Sequence, residues 1–326
     1  MDRHELGSLG VQQQLIGLNW ERRIPTRPTM KAKRLIALFY LLLFQFAASG
    51  SAVANESTPI PIFVSVLPQK YFVERIGGER VQVSVMVGPG QSPATYEPTP
   101  RQMVRLADAR VYFRLSVPFE DVWMDRIAAA NRDMLIVNCR AGIPLRTIYS
   151  LDGSPVNGTK VQEGKDPHFW TSPPLAQITA VHIKDALVDL DPAHREQFEL
   201  NYAQLVEDLE TLDRQIRAVL ADIAKPKFMV FHPSWGYFAD TYGLEQIAIE
   251  REGKEPSAKS LANAIDQASA DGIKIIFVQE QFSDRTAQAV AYAMGAHVIQ
   301  VDPLAEDYLK NMRFVANAFA DAMRQQ

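Results

Sequence analysis

Phe198, Tyr202, Leu205, Leu209, Leu212, Ile216, Val219 and Ile223 recur at alternating steps of four and three. That spacing lines one face of a helix with a continuous apolar stripe. Asp191-Pro192 marks its start, and an unbroken helix from Pro192 to Ile223 would span ~48 Å at 1.5 Å per residue. One small lobe does not need a helix of that length. The reading is a stiff rod joining two lobes, with a surface helix broken in two as the alternative.

Both flanks of this stripe alternate short β-rich runs with helical patterns. Before it, Pro61 to Leu67, Val81 to Val87, Val111 to Leu115 and Met134 to Val137 are strand-like, with helical runs from Gln69 to Ile76 and Arg101 to Ala107. After it, Lys227 to Phe231, Gln246 to Ile249, Lys274 to Val278 and His297 to Val301 are strand-like, with helical runs between. Strands alternating with helices imply parallel βαβ units. The expected fold class is α/β: two α/β lobes with parallel sheets joined by one long linking helix. Ser172 and Ser257 are expected helix caps, each beside a proline. The polar, Gly-containing stretch Ser150 to Lys165 reads as a loop.

The front of the chain reads differently. Met30 is followed by Lys31, Lys33 and Arg34, an apolar run from Leu35 to Ala48, and Ala52-Val53-Ala54. A basic start, a short apolar core and a small-residue exit make a cleaved secretory signal peptide. The run is shorter than the ~20 apolar residues of a membrane-spanning helix. Residues 1–29 are then an upstream extension, with the start at Met30 rather than Met1, and 30–54 the signal. The N-terminal lobe takes 55–190, the linking helix 191–223 and the C-terminal lobe 224–326. No Cys follows the apolar run to accept a lipid, so a periplasmic protein is expected.

The leader carries a net +4, so removing it from the formal −4 of the whole chain leaves −8. An acidic balance excludes a general nucleic-acid binder, which needs basic patches. Cys139 is the single cysteine. It rules out intrachain disulfides and cysteine-rich zinc sites and reads as a small buried apolar residue.

Three metal-capable side chains stand where strands hand over to loops or within a loop. They lie in Asp166-Pro167-His168-Phe169-Trp170, Phe231-His232-Pro233-Ser234-Trp235 and Asp302-Pro303-Leu304. Ligands of open α/β sheets bind beyond the carboxyl ends of strands. His232 and Asp302 fall at such ends in the second half, and His168 comes from the first. Two imidazoles and a carboxylate suit a borderline divalent cation such as zinc. Each alone is as readily structural: a lone strand-end histidine, an ordinary Asp-Pro turn. Trp170 and Trp235 either wall such a cleft or are core aromatics. His182, His194 and His297 are read as structural or surface residues, and His4 lies in the discarded front. The chain has no H-E-x-x-H helix, Gly-rich phosphate loop or G-x-S-x-G elbow. An open two-histidine site could activate water as in a metal-dependent hydrolase. No general base is fixed by spacing, so a non-enzyme is expected.

These landmarks, with Pro93-Ala94-Thr95-Tyr96-Glu97-Pro98 and Glu255-Pro256-Ser257, resemble the zinc and manganese substrate-binding proteins of ABC transporters, the cluster A-I metal receptors. The resemblance covers nearly all of the mature chain. It implies a metal held between two lobes and delivered to a membrane permease driven by an ATPase. It also implies three of the four usual ligands at His168, His232 and Asp302. Zinc is the expected cargo, since manganese members of the family carry a carboxylate where His232 stands; Mn2+ and Fe2+ rank behind. A monomer is expected.

The fourth ligand of the family would be a histidine where Ala94 stands. Water completing a three-ligand site, a nearby oxygen from Glu97, Glu280 or Gln91, and loss of the family's metal scheme compete, in that order. The last keeps open an accessory or adhesion protein that retains the fold.

Overall fold

The computed structural model describes residues 58–148, 165–250, 258–281 and 284–326, all within one compact unit, Ser57–Gln326. The expected extension, the signal segment, the Ser150 to Lys165 loop apart from Lys165, and the expected cap Ser257 lie outside the described residues.

The first half runs β1 (Ile60–Val64), α1 (Leu67–Gly77), β2 (Val81–Val85), α2 (Pro100–Leu106), β3 (Val111–Arg114), α3 (Pro118–Ala130), β4 (Leu135–Asn138) and α4 (Pro173–Leu190). The long helix α5 (Arg195–Leu220) follows a short 3-10 turn, Pro192–His194. The second half runs β5 (Lys227–Val230), α6 (Gly236–Tyr242), β6 (Glu245–Ala248), α7 (Ala258–Asp271), β7 (Ile275–Val278), α8 (Asp284–Met294), β8 (His297–Gln300) and α9 (Tyr308–Arg324). Each half holds one four-stranded sheet, ordered β2-β1-β3-β4 and β6-β5-β7-β8. All pairs are parallel. The two lobes therefore share one topology, and this is the expected α/β architecture.

The strand reading is correct in place and one to three residues too long at several ends. Leu67, read as strand, opens α1 with Pro68 beside it, where proline is at home. The linking helix ends at Leu220, short of Ile223, and begins in α geometry only at Arg195. Its 26 residues span about 39 Å rather than the ~48 Å expected. The stripe itself is real. Phe198, Leu205, Leu209, Leu212, Ile216 and Leu220 are buried, and side chains of this size contribute about 1.5–3 kcal/mol each when fully buried. The stripe packs on α1 and α4 from the first half and on α9 from the second. One helix thus serves both lobes.

Ser172 stands at the N-cap of α4 but its side chain makes no capping bond. Its hydroxyl pairs instead with Thr241 Oγ1 of α6, at 2.8 Å. Two helices, α3 and α9, had no sequence expectation. Cys139 follows β4 and is fully buried, as read. No described helix is long and apolar enough to cross a membrane.

Candidate metal centre

His168 leaves the loop before α4, and His232 follows β5 directly. Their ring centroids lie 5.2 Å apart, near perpendicular at 79°. The structure thus brings together two imidazoles that are distant in sequence. Trp170 packs against His168, with centroids 5.4 Å apart.

Each ring is oriented from behind by a buried carboxylate. Asp166 Oδ1 lies 2.8 Å from His168 Nδ1 and also accepts from the His168 backbone N–H at 2.9 Å. Asp166 Oδ2 accepts from Arg146 Nη1 at 2.9 Å. Burial works to raise the Asp166 pKa, but the His168 hydrogen bonds and the Arg146 charge outweigh it and hold the carboxyl below its ordinary range. An ionised carboxylate only accepts. His168 Nδ1 is therefore the donor, and in the neutral ring that leaves the lone pair on Nε2. His232 Nδ1 is bonded to Glu250 Oε2 in the same way. Burial pushes the His232 pKa down, against the pull of Glu250 and with the help of neighbouring His168. A depressed pKa keeps imidazole neutral, which is the form a metal takes.

The His232–Glu250 pair follows from strand register. β5 and β6 pair as Lys227↔Glu245 through Val230↔Ala248, and the ladder runs on through Glu250 N–H to Phe231 O at 2.8 Å. The same offset of 18 places Glu250 opposite His232. Two adjacent strands whose continuations end in His and Glu would have been a usable signal. Sequence reasoning missed Glu250, and Arg146 with it, and named Asp166 only as part of the motif around His168.

Asp302 follows β8 in the adjoining loop. Its Oδ1 accepts from Gln281 Nε2 at 3.1 Å and from Leu304 N–H at 2.9 Å, and its backbone oxygen accepts from Asn311 Nδ2. Trp170 Nε1 donates to Pro303 O at 2.8 Å, and Tyr308 Oη donates to Trp170 O at 2.7 Å. These bonds tie the Asp302 loop to the segment that carries His168. Among the described residues, however, no group of three or more His, Cys, Asp or Glu side chains is gathered closely enough to hold a metal. The two imidazoles meet; Asp302 stands in the next loop without joining them.

Ala94 is exposed, as are Gln91, Glu97 and Glu280. Gln91 turns back on its own loop, its Oε1 accepting from Gly88 N–H at 2.9 Å. None of the three oxygen donors suggested for the missing position converges on the histidines in this structure. Gln281 Oε1 and Glu250 Oε1 are buried oxygens without a hydrogen-bond partner among the described residues. Trp235 is a core residue, edge-on to Phe238 and Phe319, so only Trp170 keeps a place beside the site. His297 is exposed, and His182 Nε2 pairs with Ala141 O, both apart from the centre.

The family model described as zinc-uptake complex component A, periplasmic, matches residues 62–322. The chain is 27% identical over 310 residues to the high-affinity zinc uptake system protein ZnuA of Bacillus subtilis strain 168, covering 89% of this chain and 93% of that protein. A crystal structure of ZnuA is similar at a TM-score of 0.75 and 39% identity, covering 81% of this chain and 99% of that one. The laminin-binding protein Lmb of Streptococcus agalactiae, a bifunctional protein with adhesin and metal transporting activity, shares the fold at a TM-score of 0.71 and 21% identity, over 81% of this chain and 99% of that one.

Proposed function

This chain belongs to the family of periplasmic zinc-uptake complex component A, and from that premise we propose that it captures zinc as the binding component of an ABC importer. His168 and His232 supply Nε2 atoms to the ion, and Asp302 supplies the oxygen not engaged by Gln281 and Leu304. The observation that carries this reading is the pair of imidazoles 5.2 Å apart, each held at Nδ1 by a carboxylate. A carboxylate behind a histidine fixes the ring and raises its basicity toward a metal. Arrival of the ion draws the Asp302 loop onto the pair. Water takes the position that a histidine at Ala94 would fill, giving an open tetrahedral site.

The permease and its ATPase are the proposed partners, the protein acting as a monomer with lobes at 55–190 and 224–326 on either side of the linking helix α5, Arg195–Leu220. A signal peptide at 30–54 would direct it to the periplasm. Imidazole at His232 favours zinc over manganese. The hydrolase and accessory readings are not favoured beside a family of uptake components, and Asp166 and Glu250 serve as ring anchors rather than as bases aimed at a bound water.

Competition titration of metal-free protein against a chelator tests the assignment. His168→Ala and His232→Ala are each expected to weaken zinc binding roughly 100-fold, about 2.7 kcal/mol. Unchanged affinity in either variant would remove that histidine from the site.

A further inference from the structure

We propose that Arg146 is a positioning residue for this metal site: seated against Gly236, its guanidinium fixes the Asp166 carboxylate that orients His168, so that docking of the two lobes sets the geometry of one ligand. The inference rests on the assignment of His168 above and deepens it.

Arg146 is engaged on every side. Its Nη1 donates to Asp166 Oδ2 and its Nε to Asp240 Oδ2 of α6, each at 2.9 Å. Its backbone N–H donates to Tyr237 Oη at 3.1 Å, and its backbone oxygen accepts from Asp166 N–H at 3.1 Å. Tyr237 Oη in turn donates to Asp166 O at 3.0 Å. One arginine thus joins a segment of the first half, Asp166 and His168, to a helix of the second. The fork geometry of guanidinium suits two carboxylates at once, which an ammonium cannot match.

Gly236 makes the seat. A Cβ there would stand 1.6 Å from Arg146 Nη1, 2.4 Å from Cζ and 2.8 Å from Asp166 Oδ2. The guanidinium occupies the space a side chain would take, so the absence of a Cβ at the start of α6 is a condition of the contact. An exposed ion pair would contribute little. Asp166 is fully buried, and its ring-fixing oxygen is one half of a carboxylate whose other half belongs to Arg146. Loss of the guanidinium frees the carboxylate to rotate and with it the His168 ring.

The readouts are zinc affinity and the His168 ring-nitrogen chemical shifts of the metal-free protein, which report which nitrogen carries the proton. Arg146→Gln is expected to lower zinc affinity about 10–100-fold, the usual cost of losing an outer-shell partner, and to mix the two tautomers. Gly236→Ala should reproduce both effects without changing any charge, and Arg146→Lys should recover part of the affinity. Asp240→Asn, at the exposed end of the clamp, should do less. Folded Arg146→Gln and Gly236→Ala proteins with an unaltered tautomer overturn the proposal, whether or not affinity falls, since a fall alone would be a general structural loss. Should Arg146→Gln fail to fold, the tautomer of Gly236→Ala decides. A wild-type protein that does not bind zinc, yet whose His168 tautomer responds to these variants, would refute the transport reading and leave the positioning role intact.

Discussion

His168 and His232 face each other in unequal settings. The carboxylate behind His168 has both oxygens engaged, one by the histidine and one by Arg146. The carboxylate behind His232 has one oxygen on the ring, while Glu250 Oε1 is buried without a hydrogen-bond partner among the described residues. The packing beneath them differs likewise. The first sheet belongs to one continuous core with α5 and α9. The second sheet is shared between two clusters. Phe228, Val230, Ile275 and Phe277 face the main core, and Met229, Phe231, Ile247, Ile276 and Val278 face a separate one with residues of α7 and α8. Alternation along β5 and β7 produces that split. A carrier must hold its ion and give it up, and the asymmetry places the proposed ligand with the fully engaged anchor in the first half and the one with the partly engaged anchor in the second.

The largest expected effect tests whether the halves share a core. Phe319 of α9 stacks on Phe228 at 4.3 Å between centroids and meets Phe277 at 4.6 Å and Trp235 at 5.5 Å. Phe319→Ala should cost about 3–5 kcal/mol of stability. Because α9 also packs on α5, amide exchange protection should fall in both lobes. In the wild type, amides of α7 and α8 should open at lower free energy than those of α5, as a separate cooperative unit would. Loss confined to the second half in Phe319→Ala would break the idea of a shared core.

The next comparison is between the two anchoring carboxylates. Asp166→Asn strips a fully buried charge from Arg146, and removing one member of a buried pair costs about 3–5 kcal/mol. The remaining Asp240 contact should hold the loss to about 3 kcal/mol. Glu250→Gln keeps a hydrogen-bonding oxygen for His232 Nδ1 and, among the described residues, abandons no arginine, so stability should change by less than about 1 kcal/mol. Both variants should weaken zinc binding by about 10–100-fold. Equal thermal destabilisation in the two would erase the distinction between a fully and a partly engaged anchor.

That distinction could not have been read from local spacing. Strands, their parallel order and the linking helix announce themselves through periodicity, and His168, His232 and Asp302 through their positions at strand ends or in family motifs. Arg146 and Asp166 are separated by a long polar stretch of sequence, and Glu250 meets His232 only through the offset between β5 and β6. Topology, not sequence neighbourhood, assembles these pairs. The helix α9 escaped for another reason. Its buried face, Tyr308, Met312, Val315, Ala316, Phe319, Ala320, Ala322 and Met323, recurs at helical spacing, a signal present in the sequence that a reading centred on strand ends passed over. Ser172 misled because a second-half hydroxyl, Thr241, competes for its side chain.

Ala94 offers a gain-of-function comparison. In the proposed shell the first lobe supplies one ligand and the second supplies two. Ala94→His would even the contribution by adding an imidazole from the loop after β2. An affinity gain of roughly tenfold, about 1.4 kcal/mol, is expected, with slower release measured by transfer to a chelator. An unchanged affinity would mean that the exposed Ala94 loop does not approach the ion.

Acid titration gives the smallest effect and separates His232 from Asp166 by pH range. The folded pKa of His232 lies below its ordinary value near 6.5, so the unfolded chain binds a proton there first. Stability from that neutral ring is present above about pH 6.5 and is lost as pH falls through the lower folded value. The folded pKa of Asp166 lies below 3.8, so its contribution survives that range and is lost only at still lower pH. Metal-free protein should therefore weaken in two steps, each with a slope of at most about 1.4 kcal/mol per pH unit per proton. His232→Gln should remove the upper step and leave the lower. Saturating zinc should move the upper step to lower pH, because the ion binds only the unprotonated ring. An upper step that persists in His232→Gln would assign the titration to another group and detach the depressed ring from the half of the site with the partly engaged anchor.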